Sequence, residues 1–273
     1  MRTLIVAPGR VMAAILLLVA LAGCLGGGAG GNVVTEDLSE PLDGATAANI
    51  DIRCGSGNLT VDRLAAGEPL LAGGTLQYPE KHGRPSHNRS SSGGQATLTL
   101  SAQSATGSGF RFPWAACTGA FTWQVHLNPS VRSDITAHSD GGNLALDLTG
   151  MAVGRVTADT GGGNIDLVLP EGAAGLSVTA KAGAGAVIIE VGSGTTGSNT
   201  LHATSGAGNV ALRVPSGVAA RIHATSGAGK VIVDPRFSRI DTNTYQSPGY
   251  DAAANRVEIT AHSGVGNVSV ESR

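Results

Sequence analysis

Carboxylates and imidazoles recur along this chain at spacings that binding or catalysis would need. At one fixed repeat position stand Asp62, Asp147, Val168, Glu190, Arg213, Asp234 and Glu271. Acids with one arginine among them have the composition of a weak divalent-cation or polysaccharide site, where clustered carboxylates hold a hard cation beside a basic residue. In chain order Arg213 falls between Glu190 and Asp234, so it is expected to neutralise both. Histidines give a second row: His202 and His223 share one position, read as neighbouring rungs, and His138 and His262 sit two residues further along their own copies. Imidazole nitrogens suit zinc or copper. Threonine fills the same two positions in most other copies, however, and charges on exposed strands also discourage edge pairing. Both rows are read as solvated faces, with no metal and no cofactor assigned.

Other chemistries find less support. The segment GGGNIDL from Gly161 is close to a calcium β-roll motif, but asparagine replaces one glycine and the period is not nine. There is no G-x-S-x-G elbow, no H-E-x-x-H and no Walker loop. No catalytic residue is assigned and a non-enzyme is expected. The rivals are a polysaccharide-active β-helix enzyme and a purely structural envelope component. The formal net charge is -2, and no basic block is present to track a phosphate backbone, so nucleic acid is excluded as a partner.

The elements that must position these rows come from a repeat. HATSGAG occurs from His202 and again from His223. Anchored on the residue after the second turn glycine, seven copies align at Asn58, Asn143, Asn164, Ala186, Asn209, Lys230 and Asn267. From Asn143 to Lys230 the spacings are 21, 22, 23 and 21 residues, and a glycine precedes the anchor in every copy. Both sides of the turn have period two: Ile135 and Ala137 before it, Leu144, Leu146 and Leu148 after it. One copy cannot bury two thin apolar faces alone, whereas stacked copies bury a column. The fold class is therefore all-β, a β-solenoid of roughly 21-residue strand-turn-strand repeats with an insertion. Its 41 glycines are expected to supply positive φ at the turns.

The N-terminus reads as an export signal. Arg2 and Arg10 precede an apolar run ending in Leu21, Ala22, Gly23 and Cys24, which resembles a prokaryotic lipobox. Residues 1–23 would be removed, Cys24 lipidated, and residues 24–47 left as a flexible glycine-rich tether, placing the protein in the cell envelope, extracytoplasmic and held to a membrane. Cys54 and Cys117 then remain, either as a disulfide or as two buried thiols. Residues 66–132 interrupt the array with runs such as ATLTLSAQ and FTWQVHLN, readable as irregular rungs or side strands. Five of the six Phe and Trp residues lie there: Phe110, Phe112, Trp114, Phe121 and Trp123. They are read either as a local hydrophobic cluster or as a partner patch. Sequons occur at Asn58, Asn88 and Asn267.

The order DIRCGSGNLTVDRL, LLAGGTLQY, a polar gap, ATLTLS, then WQVHLNPSVRSDITAHSDGGNLALDLTG resembles the toast-rack domain of prokaryotic envelope proteins. That domain is related to adhesin repeats of the head-domain type. The resemblance covers residues 48–170, with 171–273 as adhesin-like repeats. It implies a cell-surface, non-catalytic module for adhesion or envelope sensing, with an envelope protein or surface glycan as partner, and it transfers no catalytic residue.

Overall fold

A computed structural model describes residues 32–102 and 121–273. Strand β1 (Val33–Pro41) leads into the first strand-turn-strand copy, β2 (Ala47–Arg53) and β3 (Gly57–Arg63). β4 (Leu70–Pro79), β5 (Ser86–Ser92), β6 (Gln95–Ser101) and β7 (Phe121–Leu127) follow. Then come β8 (Arg132–Ser139) with β9 (Leu144–Asp147), β10 (Val153–Gly162) with β11 (Ile165–Val168), and β12 (Ser177–Ala184) with β13 (Val187–Glu190). β14 (Ser198–Ala207) with β15 (Val210–Val214) and β16 (Ala219–Ala228) with β17 (Val231–Val233) carry the HATSGAG copies. β18 (Ser238–Arg239) and β19 (Thr244–Gln246) precede the last copy, β20 (Arg256–Val265) with β21 (Val268–Ser272).

The copies stack into two sheets. Among the described residues, a ten-stranded sheet runs β1-β4-β7-β3-β9-β11-β13-β15-β21-β17 and an eleven-stranded sheet runs β18-β19-β16-β20-β14-β12-β10-β8-β2-β6-β5. Parallel register aligns equivalent residues across the eleven-stranded sheet, placing Val156, Val178, Leu201, Ile259 and Ile222 in one inward row. Ala158, Ala180, Ala203, Ala261 and Ala224 form the next row, all fully buried. Opposite them lie Ile165, Val187, Val210 and Val268, also fully buried. The β-solenoid is thus two sheets closed on a thin aliphatic column, as the period-two pattern requires.

The rungs do not stack in chain order. The last copy, β20/β21, enters between β14/β15 and β16/β17, so the two HATSGAG copies are separated by a rung. At the other end β6 pairs with β2 and β7 with β3, both parallel, so residues 95–101 and 121–127 make an irregular rung outside the first copy. The tether expected over 24–47 is corrected as well, because residues 33–41 are strand β1, paired antiparallel with β4. Ion pairs gather at this end of the stack: the inward Glu36 and Glu40 of β1 are met by Arg84 at 2.5 Å and His87 at 2.8 Å, and Arg89 meets the exposed turn residue Asp43 at 3.0 Å. Inward acids on an edge strand discourage further strand addition.

Each letter of the repeated turn has a packing role. The glycine before each anchor lies against the turn backbone of the adjacent rung; a Cβ would meet Gly57 O from Gly142 at 2.0 Å, Gly163 O from Gly185 at 2.0 Å and Gly266 O from Gly229 at 2.1 Å. Positive φ is the lesser reason, because Gly57, Gly142 and Gly229 are blocked in the same way without it. A hydroxyl three residues before that glycine, buried in three copies and half-buried at Ser226, donates to the same carbonyl row: Thr160 to Gly142 O, Ser205 to Gly185 O, Ser263 to Gly208 O and Ser226 to Gly266 O, all within 2.7–2.8 Å. The anchor asparagine amide oxygens then accept the backbone N–H of the next anchor, Asn143 from Asn164 at 2.9 Å and Asn209 from Asn267 at 2.8 Å. Turn carbonyls and amides that would otherwise lack partners are satisfied rung to rung.

Candidate functional site

Inward positions are spent on the core, so chemistry is carried by the two outer faces. On the ten-stranded sheet one row reads His126, Asp62, Asp147, Val168, Glu190, Arg213 and Glu271, with Asp234, the residue after β17, continuing it. His126 Nδ1 contacts Asp62. The Thr149 hydroxyl and backbone N–H hold Asp147 below the usual carboxylate range. Arg213 does not lie between Glu190 and Asp234, because the intercalated rung puts Glu271 in that place. Its guanidinium is 2.5 Å from Glu190 and 3.9 Å from Glu271. Glu190 also receives Arg273 at 2.7 Å, a partner that the repeat register alone does not reveal. Half of this row is therefore self-neutralised surface charge.

The face of the eleven-stranded sheet is flatter in chemistry. One row reads Thr99, Asp51, Thr136, Thr157, Thr179, His202, Thr260, His223 and Thr244. The row beside it reads Ser101, Arg53, His138, Asp159, Lys181, Thr204, His262 and Thr225. His202 and His223 are thus two rungs apart, with Thr260 between them, which corrects the expectation of adjacent rungs. His138 lies 3.1 Å from Asp140 and 3.3 Å from Asp159. Among the described residues no group of three His, Cys, Asp or Glu side chains is placed to hold a cation.

The aromatic patch divides. Trp123 is fully buried and Phe121 nearly so, stacked edge to face at 6.3 Å, so these two are core residues and cannot meet a partner. Alternation along β7 turns Phe121, Trp123, Val125 and Leu127 inward together. Phe110, Phe112 and Trp114 lie outside the described residues, as do Cys24 and Cys117. Cys54 is a buried thiol whose Sγ is 3.6 Å from the Asn58 carbonyl oxygen. Burial, with the Asp140 charge adding, pushes it up to about 12. The sequon asparagines Asn58 and Asn267 use their amide oxygens in the turn ladder, whereas Asn88 is exposed on β5.

Between the sheets, a cavity lined by Leu169, Val191, Leu201 and Val257, among others, has a volume of about 10 Å³. That is at the lower limit for one water molecule, too small for a substrate. What the molecule presents is long, regular polar surface.

A family model described as the N-terminal domain of toast_rack, DUF2154, matches residues 29–190. No curated protein matches the chain. Among solved structures, a candidate cell adhesion protein from Clostridium sporogenes aligns with a TM-score of 0.59 at 16% identity, over 89% of this chain and 100% of that one. A candidate adhesin from Bacteroides fragilis aligns over 88% of this chain and 97% of its own, at 10% identity and a TM-score of 0.28. The first likeness shows a shared fold; the second is too distant to add to it.

Proposed function

The chain belongs to the toast_rack N-terminal-domain family, and from that premise we propose that it is a non-catalytic, lipid-anchored cell-surface β-solenoid whose outer surface acts as an adhesion or envelope-sensing scaffold. The observation that carries this reading is the ladder geometry. Each rung repeats the same outward positions along two sheets of ten and eleven strands, so weak polar contacts can be multiplied along an extended partner. Hydroxyls, imidazoles and paired charges on those faces fit a surface glycan or a polar envelope protein. Phe110, Phe112 and Trp114 would add apolar anchors of the kind that dominate interface energy. Membrane attachment rests on the Leu21-Ala22-Gly23-Cys24 sequence.

Two experiments test the two parts. Cys24→Ala should abolish lipid labelling and release the protein from membranes, or leave it unprocessed; unchanged processing and fractionation would remove the anchor from the proposal. Bead-immobilised protein should retain surface glycan or envelope protein without changing it, and a Phe110→Ala/Phe112→Ala/Trp114→Ala variant should lose that capture while keeping its fold. Depolymerisation of a polysaccharide that disappears in Glu190→Gln/Asp234→Asn would favour the enzyme reading instead.

A further inference from the structure

The two ends of the ten-stranded sheet are finished differently. At one end the edge strand β1 carries the inward acids Glu36 and Glu40; at the other the edge strand β17 is Val231-Ile232-Val233, without charge, proline or bulge. On the eleven-stranded sheet β19 pairs with β16 and covers the last rung. Among the described residues no strand pairs with the far side of β17. An open edge of this kind is a template for another strand.

The backbone there has bonds to give. Val268 N–H donates to Lys230 O at 2.9 Å and Asp234 N–H donates to Val270 O at 2.9 Å, so alternation turns the polar groups of Ile232 toward β21 as well. Those of Val231 and Val233 then point away from the sheet, and among the described residues no hydrogen bond reaches them. Both side chains are half-buried, whereas Val268 and Val270 beside them in the column are buried. Of the four large apolar side chains left exposed among the described residues, Ile232, Ile240 and Val265 belong to the last two rungs and their cap.

Across this edge the chain reads Lys230-Val231-Ile232-Val233-Asp234, which is complementary to itself run backwards. Antiparallel pairing of two copies centred on Ile232 sets Lys230 of each opposite Asp234 of the other, with β-carbons about 5 Å apart. The same register makes Val231 and Val233 the hydrogen-bonded pairs, so the outward backbone groups are satisfied and the half-buried valines extend each other's column. Among the described residues Lys230 has no ion pair of its own. The anchor asparagines all reach toward the β17 end to accept the next anchor N–H, the last being Asn267 from Lys230 at 2.9 Å, and Lys230 is the anchor with no rung beyond it. Asp234 Oδ1 accepts the Arg236 backbone N–H at 2.8 Å, which holds that carboxylate at the edge.

We propose that β17 pairs edge to edge with β17 of a second copy, joining two stacks head to head. Because β18 and β19 extend the other sheet past β17, the stacks meet at an angle. Each ten-stranded sheet spans about 45 Å, and pairing at β17 sends the two β1 ends apart. A second copy on a facing surface is then the partner in adhesion. That arrangement rests on the lipid-anchored reading above; the pairing itself does not. One short strand pair is a weak contact, and many copies on two facing membranes multiply it.

Sedimentation velocity of the full chain in detergent, over rising concentration, tests the pairing. A monomer–dimer equilibrium is expected, weakened about tenfold or more by Lys230→Asp and by Ile232→Lys. Both side chains are exposed, so melting temperatures should stay at the wild-type value. Lys230→Asp mixed with Asp234→Lys should dimerise again, because each edge then carries one sign and faces its opposite. A monomeric wild type would overturn the proposal and leave the edge to a strand of another protein. A dimer unchanged in Ile232→Lys would overturn it too. Vesicles bearing the lipidated chain should cluster, and those bearing Ile232→Lys should not; dimerisation without clustering would keep the pairing and overturn its role between surfaces.

Discussion

A β-carbon on Gly208 would lie 2.2 Å from the Gly185 carbonyl oxygen of the neighbouring rung. Gly208 also holds φ at +153°, where side chains are strained. Gly208→Val therefore cannot be absorbed by a rotamer change; two rungs must separate. It should cost more than about 1 kcal/mol and lower the melting temperature. Gly217→Ala is the control, since nothing lies within 4 Å of a β-carbon there. Equal melting temperatures for wild type and Gly208→Val would refute close backbone packing as the reason for the glycine row.

Ser205 donates to the Gly185 carbonyl at 2.8 Å and is itself fully buried. Ser205→Ala should cost about 1 kcal/mol, because a half-buried acceptor loses its donor. The expected signature is a lower urea midpoint with an unchanged slope. The fold tolerates one such loss already, since Ala182 pairs with Ser205 in register and occupies the same place on β12.

Trp123 fills the irregular rung and is fully buried. Trp123→Ala should destabilise by about 3–5 kcal/mol through the cavity it leaves, and any loss of partner capture should track loss of fold. A stably folded Trp123→Ala protein that had lost capture would return this residue to the partner surface.

Strand alternation, the turn glycines and the stacked architecture were legible because each repeats in every copy. Stacking order was not. The copies offer closely similar inward rows and the same turn glycine, and most share the hydroxyl and asparagine contacts, so a rung from residues 256–272 fits beside β14 as well as β16 does. The partner of Arg213 and the two-rung separation of His202 from His223 depend on that order and stayed hidden with it. β1 was missed for a different reason. Its inward positions alternate Val34, Glu36, Leu38 and Glu40, and the two acids, compensated by Arg84 and His87 from distant sequence, break the apolar period. For Phe121 and Trp123 the alternation of β7 put both on one face and left open whether that face met the core or a partner; the structure turns it inward with Val125 and Leu127.

Cys54 supplies the pH prediction. Its thiol, ordinarily near 9.0, is pushed up to about 12 by burial in the core, with Asp140 contributing. Because the folded value is the higher one, the folded chain holds this proton more tightly than the unfolded chain does. Its stabilising effect is complete below pH 9.0 and is lost as pH rises from there toward 12. Burial raises Tyr78 and Tyr250 as well, so they act in the same direction. Melting temperature should therefore fall as pH rises above about 9. At pH 8 the folded chain therefore carries far less Cys54 thiolate than the unfolded chain does. Alkylation of Cys54 without reductant should thus be slow in the folded protein, where the thiol is fully buried, and fast in urea. Rapid native labelling would contradict the burial, and a Cys54–Cys117 peptide recovered without reductant would replace the thiol with a bridge.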